Sequence, residues 1–147
     1  MSRLRVVERV TIAASPESVW AVIADPASHT EWRPALVEFT LVSSPPLTAG
    51  SKIREVVRFA GRSLELDDTV TRLEPPRVLG IDGESKTSTF GLELRLEPAG
   101  EGTLVTFDWW LEARSRLLRL AQPLLRRPMH KATAEELELL RDYVEER

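Results

Sequence analysis

The last quarter of the chain places the strongest constraint on the fold, because residues 114–147 form the longest run with helical spacing. Its apolar residues recur at about 100° per residue and form one broad stripe. The stripe contains Leu117, Leu118, Ala121, Leu124, Leu125, Ala132, Leu139 and Tyr143. Such a helix is unstable in water unless an apolar surface of similar length covers the stripe. The rest of the chain must therefore supply that surface.

Two prolines interrupt this stretch, at positions 123 and 128. Proline has no backbone N–H and crowds the preceding helical turn, so it starts or kinks a helix. We therefore expect a short first piece near Ser115–Gln122, a break, and a main helix with Pro123 near its first turn. A kinked helix covers a sheet unevenly and leaves room beneath it.

The preceding segments predict the sheet. Apolar and polar residues alternate in them, as expected for strands with one buried face. Short breaker-rich connections, including an Asp82-Gly83 turn signal, indicate antiparallel neighbours. The expected order is one strand, two short helices that begin after Ser15 and Pro26, about six strands and the long helix. The strands are expected at 4–12, 36–42, 52–59, 62–73, 78–81, 87–96 and 103–111. We therefore predict a single α+β domain, 1–147, with an antiparallel sheet of about six to seven strands.

Composition excludes several classes of function. The 147 residues carry a net charge of −3, which does not favour nucleic acid as a partner, and contain no cysteine. The first ten residues alternate apolar and charged side chains, unlike a signal peptide, and no apolar run approaches the ~20 residues of a membrane span. We expect a cytoplasmic protein with no integral membrane segment. The glycines lie at turns and the two histidines lack further ligands nearby, so we expect no nucleotide cofactor and no metal.

Three acids, Glu8, Glu55 and Asp68, occupy strand positions that alternate in phase with the apolar residues, so their side chains are expected on the apolar face of the sheet. A buried carboxylate is costly unless it is paired or hydrogen-bonded. Each acid is therefore either a cavity group that orients a ligand or moves a proton, or a structural residue. In the second case it reaches water at a strand end or pairs with a nearby arginine such as Arg54 or Arg72. Burial would raise the pKa of a cavity carboxyl and suit it to acid–base chemistry.

Aromatic and histidine side chains are the next candidates. Phe107 and Trp109 have inward parity on the last strand and either line a pocket or pack in the core. Trp110 has the opposite parity, so it is either exposed or part of an interface. His29 lies in a loop near the expected mouth of the cavity, and His130 is expected on the outer face of the long helix.

Six cations precede any acid in the long helical stretch: Arg114, Arg116, Arg119, Arg126, Arg127 and Lys131. They either attract anionic lipid head groups or an acidic partner, or form a solvated helix face balanced by the acids that follow. The order is opposite to the one that the helix dipole favours, which is anions at the N-terminus and cations at the C-terminus.

The segment Ile12–Trp20 (IAASPESVW), then Asp25-Pro26 and Trp32-Arg33-Pro34, resembles the opening of the polyketide cyclase/dehydrase and lipid transport group. The closing pattern is also similar, with a TLVT strand and a long helix that ends in LRDYVE. That group belongs to the START/Bet v 1-like superfamily, also called SRPBCC. The resemblance implies a helix-grip fold, in which a curved antiparallel sheet wraps around a C-terminal helix and encloses an apolar cavity. It implies scaffold roles for Trp20 and Trp32.

Members of this superfamily bind lipids, hormones or polyketides, catalyse cyclisation or dehydration, or act as co-chaperone modules, so three hypotheses remain open. The first is binding of a small hydrophobic or amphipathic ligand, lipid-like or polyketide-like, in an internal cavity. The second is a polyketide cyclase or dehydratase that uses Asp68 and Glu55. The third is a protein-interaction module that uses Trp110 and the basic run, as a monomer or a homodimer. The expected ligand-binding residues are Trp32, Ile53, Glu55, Val57, Phe59, Leu66, Asp68, Val70, Phe90, Leu92, Phe107, Trp109, Leu124 and Leu125.

Overall fold

The computed structural model describes residues 3–59 and 61–147. It contains seven strands, two short α-helices joined by a 3-10 turn at Pro26–Ser28, and one long helix. The strands are β1 (Arg3–Ile12), β2 (Leu36–Leu41), β3 (Lys52–Phe59), β4 (Arg62–Glu74), β5 (Val78–Glu84), β6 (Ser88–Ala99) and β7 (Gly102–Ala113). The helices are α1 (Pro16–Ile23), α2 (His29–Trp32) and α3 (Arg116–Glu145).

The strands form one antiparallel sheet in the order β1-β7-β6-β5-β4-β3-β2. The predicted fold class, an antiparallel sheet with two short helices after the first strand and a long helix at the end, is confirmed. The expected turn at Asp82-Gly83 is wrong, because β5 continues through both residues. Gly83 pairs with Asp68 of β4 and with Phe90 of β6, so pairing on both sides keeps this segment extended.

Local sequence signals explain where the first helices begin. The Ser15 hydroxyl accepts a hydrogen bond from the Ser18 N–H at 3.2 Å, and Pro16 occupies the first helical position of α1. The Asp25 carboxylate accepts a hydrogen bond from the Ala27 N–H at 3.1 Å and caps the 3-10 turn that follows. These caps begin α1 and the 3-10 turn that leads into α2, in the order that the sequence predicts.

The long helix is continuous, contrary to the expected break. α3 spans 30 residues and includes both Pro123 and Pro128. Each proline leaves the carbonyl four residues earlier without its helical donor. Those carbonyls belong to Arg119 and Leu124, which are exposed, so water can take the place of the missing donor. The helix therefore tolerates both prolines.

The face that α3 buries also differs from the predicted stripe. The fully buried residues of α3 are Gln122, Thr133, Leu137, Leu140 and Val144, whereas the predicted Leu117, Leu118, Leu124 and Leu139 are exposed. Contacts along the whole helix favour this rotation. Leu137, Leu140 and Val144 pack in the core, the Thr133 hydroxyl accepts from Trp109 Nε1, and the Gln122 amide oxygen accepts from the Ala113 N–H at 2.7 Å. Within the described residues, no helix has both the length and the apolar character needed to cross a bilayer.

The inner face of the sheet, which is the face toward α3, is unevenly packed. At one end, apolar residues of the sheet are fully buried against α1 and the second half of α3. These residues include Ile12, Leu79, Leu96 and Val105, with Val19, Ile23, Leu137 and Leu140 from the helices. Toward the other end, inward-facing residues are only half buried: Val57, Leu66, Leu92, Phe107 and Trp109. The structure thus has a solid core at one end and accessible apolar surface at the other.

Candidate functional site

Two of the predicted acids, Glu55 and Asp68, are brought together on the inner face. In the β3–β4 ladder Asp68 pairs with Ile53 and Glu55 pairs with Leu66, so the acids lie on adjacent strands one diagonal step apart. Asp68 is 2% exposed and Glu55 is 6% exposed. Two buried carboxyl groups at this spacing cannot both carry a full negative charge without compensation.

Arg33, which follows α2, provides the compensating charge. Its guanidinium donates from Nη2 to Glu55 at 2.9 Å and from Nε to Glu136 of α3 at 2.8 Å. Burial alone lowers the pKa of Arg33, but the charges and hydrogen bonds of Glu136 and Glu55 outweigh burial and raise it. Arg33 therefore stays charged and connects the sheet to α3.

The arginines that the sequence suggested as partners for the acids lie elsewhere. Arg54 forms ion pairs with Glu38 and Glu65, and Arg72 with Glu74 and Glu93, all on the exposed face. Sequence reasoning therefore missed Arg33. The available signal was an arginine between Trp32 and Pro34, in the segment that carries the family resemblance.

Asp68 is the carboxyl of this site whose burial is least offset by hydrogen bonds or opposite charge. Burial, followed by the hydrogen bond and the negative charge of Glu55, raises the pKa of Asp68 from 3.8 to about 9. Its Oδ1 atom is buried and has no hydrogen-bond partner among the described residues. The carboxyl is therefore protonated at neutral pH, beside a Glu55 that Arg33 holds.

Gly83 makes room for this carboxyl. A Cβ atom at position 83 would lie 2.6 Å from Asp68 Oδ1 and would collide with the ring of Phe90. Any side chain at this position would displace one of the two neighbours. The absence of a side chain at position 83 therefore leaves room for the Asp68 carboxyl and the Phe90 ring.

His29 is buried and contacts the Arg33 guanidinium. It does not lie at the mouth of a cavity, where it was expected. Its ring stacks on Phe39 with centroids 4.3 Å apart, and its Nε2–H donates to the Ile23 carbonyl at 2.9 Å. Burial, followed by the charge of Arg33, lowers the pKa of His29 to about 4. The ring is therefore neutral, and its Nδ1 faces Arg33 Nη1 at 3.4 Å as an acceptor. His29 positions Arg33.

A cleft of about 440 Å³ that is open to solvent lies against β3, β4 and β5. It is lined by Val42, Lys52, Ile53, Asp67, Asp68, Thr69, Asp82, Gly83 and Glu84. Most of these residues belong to the outer face of the sheet, so the cleft is separate from the buried Asp68 carboxyl on the inner face. A second buried polar atom without a hydrogen-bond partner in the described chain is the Trp32 Nε1 donor. Buried polar atoms are normally satisfied, so these two unpaired atoms on the inner side of the sheet suit contact with a bound molecule.

The remaining expected ligand-binding residues fall into three groups. Trp32, Ile53, Val70 and Phe90 are buried. Val57, Leu66, Leu92, Phe107, Trp109 and Leu125 are half buried. Phe59 and Leu124 are exposed, at 63% and 80%, because Phe59 lies at the hairpin end of β3 and Leu124 on the outward side of α3. The half-buried group is the part of this set that keeps partial access to solvent.

Trp109 and Trp110 face opposite sides of the sheet, as their parity predicts. The Trp109 Nε1–H donates to the Thr133 hydroxyl of α3 at 3.0 Å, and this bond fixes the indole on the inner face. Trp110 lies on the outer face over Gly91, with the Arg3 guanidinium 3.8 Å from its ring centroid. A change confined to the inner face therefore alters the surroundings of Trp109 and not those of Trp110.

Glu8 and His130 form a separate pair at the side of the sheet. The Glu8 Oε2 atom lies 2.7 Å from His130 Nδ1. His130 thus faces β1 and not the outside of the helix as expected, because the rotation of α3 turns it toward the sheet. Glu8 has its own partner and is not part of the group around Asp68.

A family model described as polyketide cyclase/dehydrase and lipid transport matches residues 3–145. Among curated proteins, none matches the sequence. Similar solved structures include the Zhui aromatase/cyclase from Streptomyces sp. R1128, with a TM-score of 0.84, 18% identity and coverage of 97% of this chain and 94% of that chain. A START superfamily protein from Mycobacterium smegmatis has a TM-score of 0.83, 17% identity and 97% coverage of both chains. The protein TTHA0849 from Thermus thermophilus has a TM-score of 0.79, 18% identity and coverage of 96% of this chain and 97% of that chain. At these identities the likeness shows a shared fold.

Proposed function

This chain belongs to the polyketide cyclase/dehydrase and lipid transport family, and we propose that it binds a small hydrophobic or amphipathic molecule on the inner face of its sheet. The observation that carries the proposal is the buried Asp68 carboxyl. It lies on the inner face near half-buried apolar side chains and has an oxygen without a partner in the described chain. A site that is mostly apolar with one or two placed polar groups is typical of small-molecule binding.

The apolar part of the ligand would contact the half-buried residues of the inner face. Phe107 and Trp109 present aromatic rings whose centroids lie 6.3 Å apart, and Leu92 pairs with Trp109 on the neighbouring strand. Burial of such surface contributes about 25 cal/mol per Å². The ligand would therefore gain most of its affinity here.

The polar part would meet Asp68. A protonated carboxyl donates one hydrogen bond and accepts others, so it suits a carbonyl or hydroxyl group. Glu55 pairs with Arg33 beside this position, so a second carboxylate from the ligand would find no free cation in the inner cluster. We therefore expect neutral ligands with an oxygen at one end.

The first experiment is native mass spectrometry of the purified protein, to identify any small molecule that remains bound. The second is a fluorescence titration with a panel of neutral and acidic lipids and polyketide-like aromatic compounds. Binding should quench or shift the emission of Trp109. The change should disappear in Trp109→Phe and persist in the matched control Trp110→Phe, whose ring faces outward. No bound molecule and no response to the whole panel would contradict the proposal.

Variants at position 68 test the polar contact. Asp68→Leu keeps the approximate size of the side chain and loses the hydrogen bond, which is expected to weaken binding of a carbonyl ligand by about 1 kcal/mol, or fivefold. Asp68→Asn keeps a donor and should bind at nearly wild-type strength. Since the pKa of Asp68 is about 9, binding to the wild type should weaken as pH rises through 9. Binding to Asp68→Asn should not weaken over that range.

An enzyme of the cyclase or dehydratase type is the second candidate, and one observation favours it. The two carboxyl groups differ in their surroundings, because burial raises the pKa of Asp68 to about 9 whereas Glu55 pairs with Arg33. Carboxyl groups in contrasting surroundings often divide acid and base roles. Asp68 would then protonate a hydroxyl group that leaves as water, while the Glu55 carboxylate accepts the proton from the adjacent carbon and a C=C bond forms.

Turnover separates this candidate from simple binding. With a polyketide-like substrate found by the titration, Asp68→Asn should keep binding and lose product formation. Equal product formation by the variant and the wild type would remove Asp68 as the acid while leaving the binding proposal intact.

A further inference from the structure

The first half of α3, residues 116–131, exposes a row of leucines. Leu117, Leu120 and Leu124 are 77%, 79% and 80% exposed, and their spacing of three and four residues places them on one side of the helix. This side is opposite to Gln122 and Thr133, which face the sheet. Large apolar side chains exposed in a continuous row mark an interaction surface.

Cations surround this row. Residues 113–134 contain six Arg or Lys and no Asp or Glu. Arg127 and Lys131 continue the leucine row by further steps of three and four residues, so they lie on the same side. Arg114 pairs with Glu84, and Arg119 donates to the Ala113 carbonyl at 3.0 Å. In the described chain, Arg116, Arg126, Arg127 and Lys131 take part in no ion pair.

We propose that the first half of α3 docks on an anionic lipid bilayer, with its leucines in the interface and its cations on the head groups. Helices that lie in a bilayer interface combine an apolar row with lysine and arginine beside it. Each cation near an anionic surface adds attraction that salt weakens. The second half of α3 carries the acids and packs on the sheet, so it stays away from the membrane.

A second copy of the chain fits this surface less well. Antiparallel pairing of two α3 helices would bring the basic half of one against the acidic half of the other. The outward residues of the acidic half include Glu135, Glu138 and Asp142, so the leucines would lie against carboxylates. The cations could pair with these carboxylates, but the leucines would then lie against charged groups and not against an apolar surface. A bilayer surface matches both the leucines and the cations.

Vesicle sedimentation of the full chain tests the proposal, with phosphatidylcholine alone and phosphatidylcholine mixed with phosphatidylglycerol. The wild type should sediment with the mixed vesicles only, and added salt should release it. Leu117→Ser with Leu120→Ser and Leu124→Ser should lower the vesicle partition coefficient about tenfold or more, because three apolar groups leave the interface. Arg126→Glu with Arg127→Glu should lower it by a similar factor.

Controls change exposed residues outside α3: Val37→Ser with Val42→Ser, and Arg58→Glu with Arg77→Glu. The controls should keep wild-type partition, and thermal unfolding should show that every variant is folded. The proposal fails if the wild type does not bind the mixed vesicles or if the controls lose as much binding as the helix variants. It also fails if the leucine variant abolishes a dimer in analytical ultracentrifugation while vesicle binding is absent. None of these results depends on the inner-face ligand.

Discussion

Two sets of charged side chains on opposite faces of one sheet differ mainly in their access to water. The inner cluster consists of His29, Arg33, Glu55, Asp68 and Glu136, and the outer network consists of Arg5, Arg72, Glu93, Arg95 and Asp108. Both contain arginine–carboxylate pairs at similar distances. In the inner cluster the pKa values of Asp68 and His29 move to about 9 and about 4.

The outer network shows what the same chemistry does in water. Arg5 donates to both oxygens of Asp108, at 2.9 Å and 2.7 Å, yet its side chain remains 66% exposed. Its hydrogen bond and charge lower the pKa of Asp108. Exposed pairs contribute little to stability because water already solvates both ions. Burial therefore, and not pairing alone, gives the inner cluster unusual protonation states.

The largest expected effect on the free energy of unfolding comes from removing Arg33, the central cation of the inner cluster. Arg33→Met leaves Glu55 and Glu136 without their partner, and breaking a buried pair in this way costs about 3–5 kcal/mol of stability. Urea unfolding at pH 7 measures it. Arg54→Met, which removes an exposed arginine that also has two acidic neighbours, is the matched control and should cost less than ~1 kcal/mol. Equal losses would break the comparison.

The pH dependence of stability comes next. The folded-state pKa of Asp68 is raised from 3.8 to about 9, so the folded protein binds one more proton than the unfolded chain between these values. Stability should therefore fall as pH rises through this window, with a slope approaching about 1.4 kcal/mol per pH unit. Asp68→Asn removes the group, so unfolding curves from pH 6.5 to 9 should be flatter for the variant. Parallel pH profiles would contradict the raised pKa.

His29 acts in the opposite direction over a narrower window. Its pKa falls from 6.5 to about 4 on folding, so the unfolded chain binds the extra proton between these values. Stability should decline as pH falls from 6.5 to 4, and in the wild type the opposing contribution of Asp68 should offset this decline. In Asp68→Asn, which lacks the opposing contribution, the decline in stability between pH 6.5 and 4 should be visible. NMR titration of the His29 ring measures its pKa directly, and a midpoint near 6.5 would show that the ring is not buried as described.

The smallest effect is expected in the outer network. Arg5→Ala and Asp108→Ala should show only weak coupling in a double-mutant cycle, and added salt should reduce it further. A coupling as large as the loss in Arg33→Met would mean that the two faces do not differ as water access implies.

Much of the fold follows from periodicity and breakers. Alternating strands, the Ser15-Pro16 helix start and the long final helix predict the element order. The rotation of α3 was not predictable in this way, because it also depends on polar contacts such as the hydrogen bond from the Ala113 N–H to Gln122. Hydrophobic spacing carries no information about such a bond, so a stripe that includes Leu117 and Leu124 was a reasonable but wrong prediction of the buried face.

The candidate site was only partly predictable. Parity identifies Glu55 and Asp68 as inward-facing acids, but their proximity depends on the register of β3 on β4, which parity does not determine. Arg33 lies on a loop, where no periodicity applies, and its pairing with Glu55 and Glu136 depends on the tertiary fold. Acids on the apolar face of a strand thus indicate that a cation is needed, but they do not show which arginine or lysine supplies it.

The lack of a side chain at Gly83 limits which substitutions homologues can accept at positions 68, 83 and 90. A methyl group there would press on the Asp68 oxygen and on the ring of Phe90 at the same time. Homologues that acquire alanine or a larger residue at this place should therefore have given up either the acid or the phenyl ring. In an alignment, these three sites should change as a set, and homologues that keep the acid should keep the glycine.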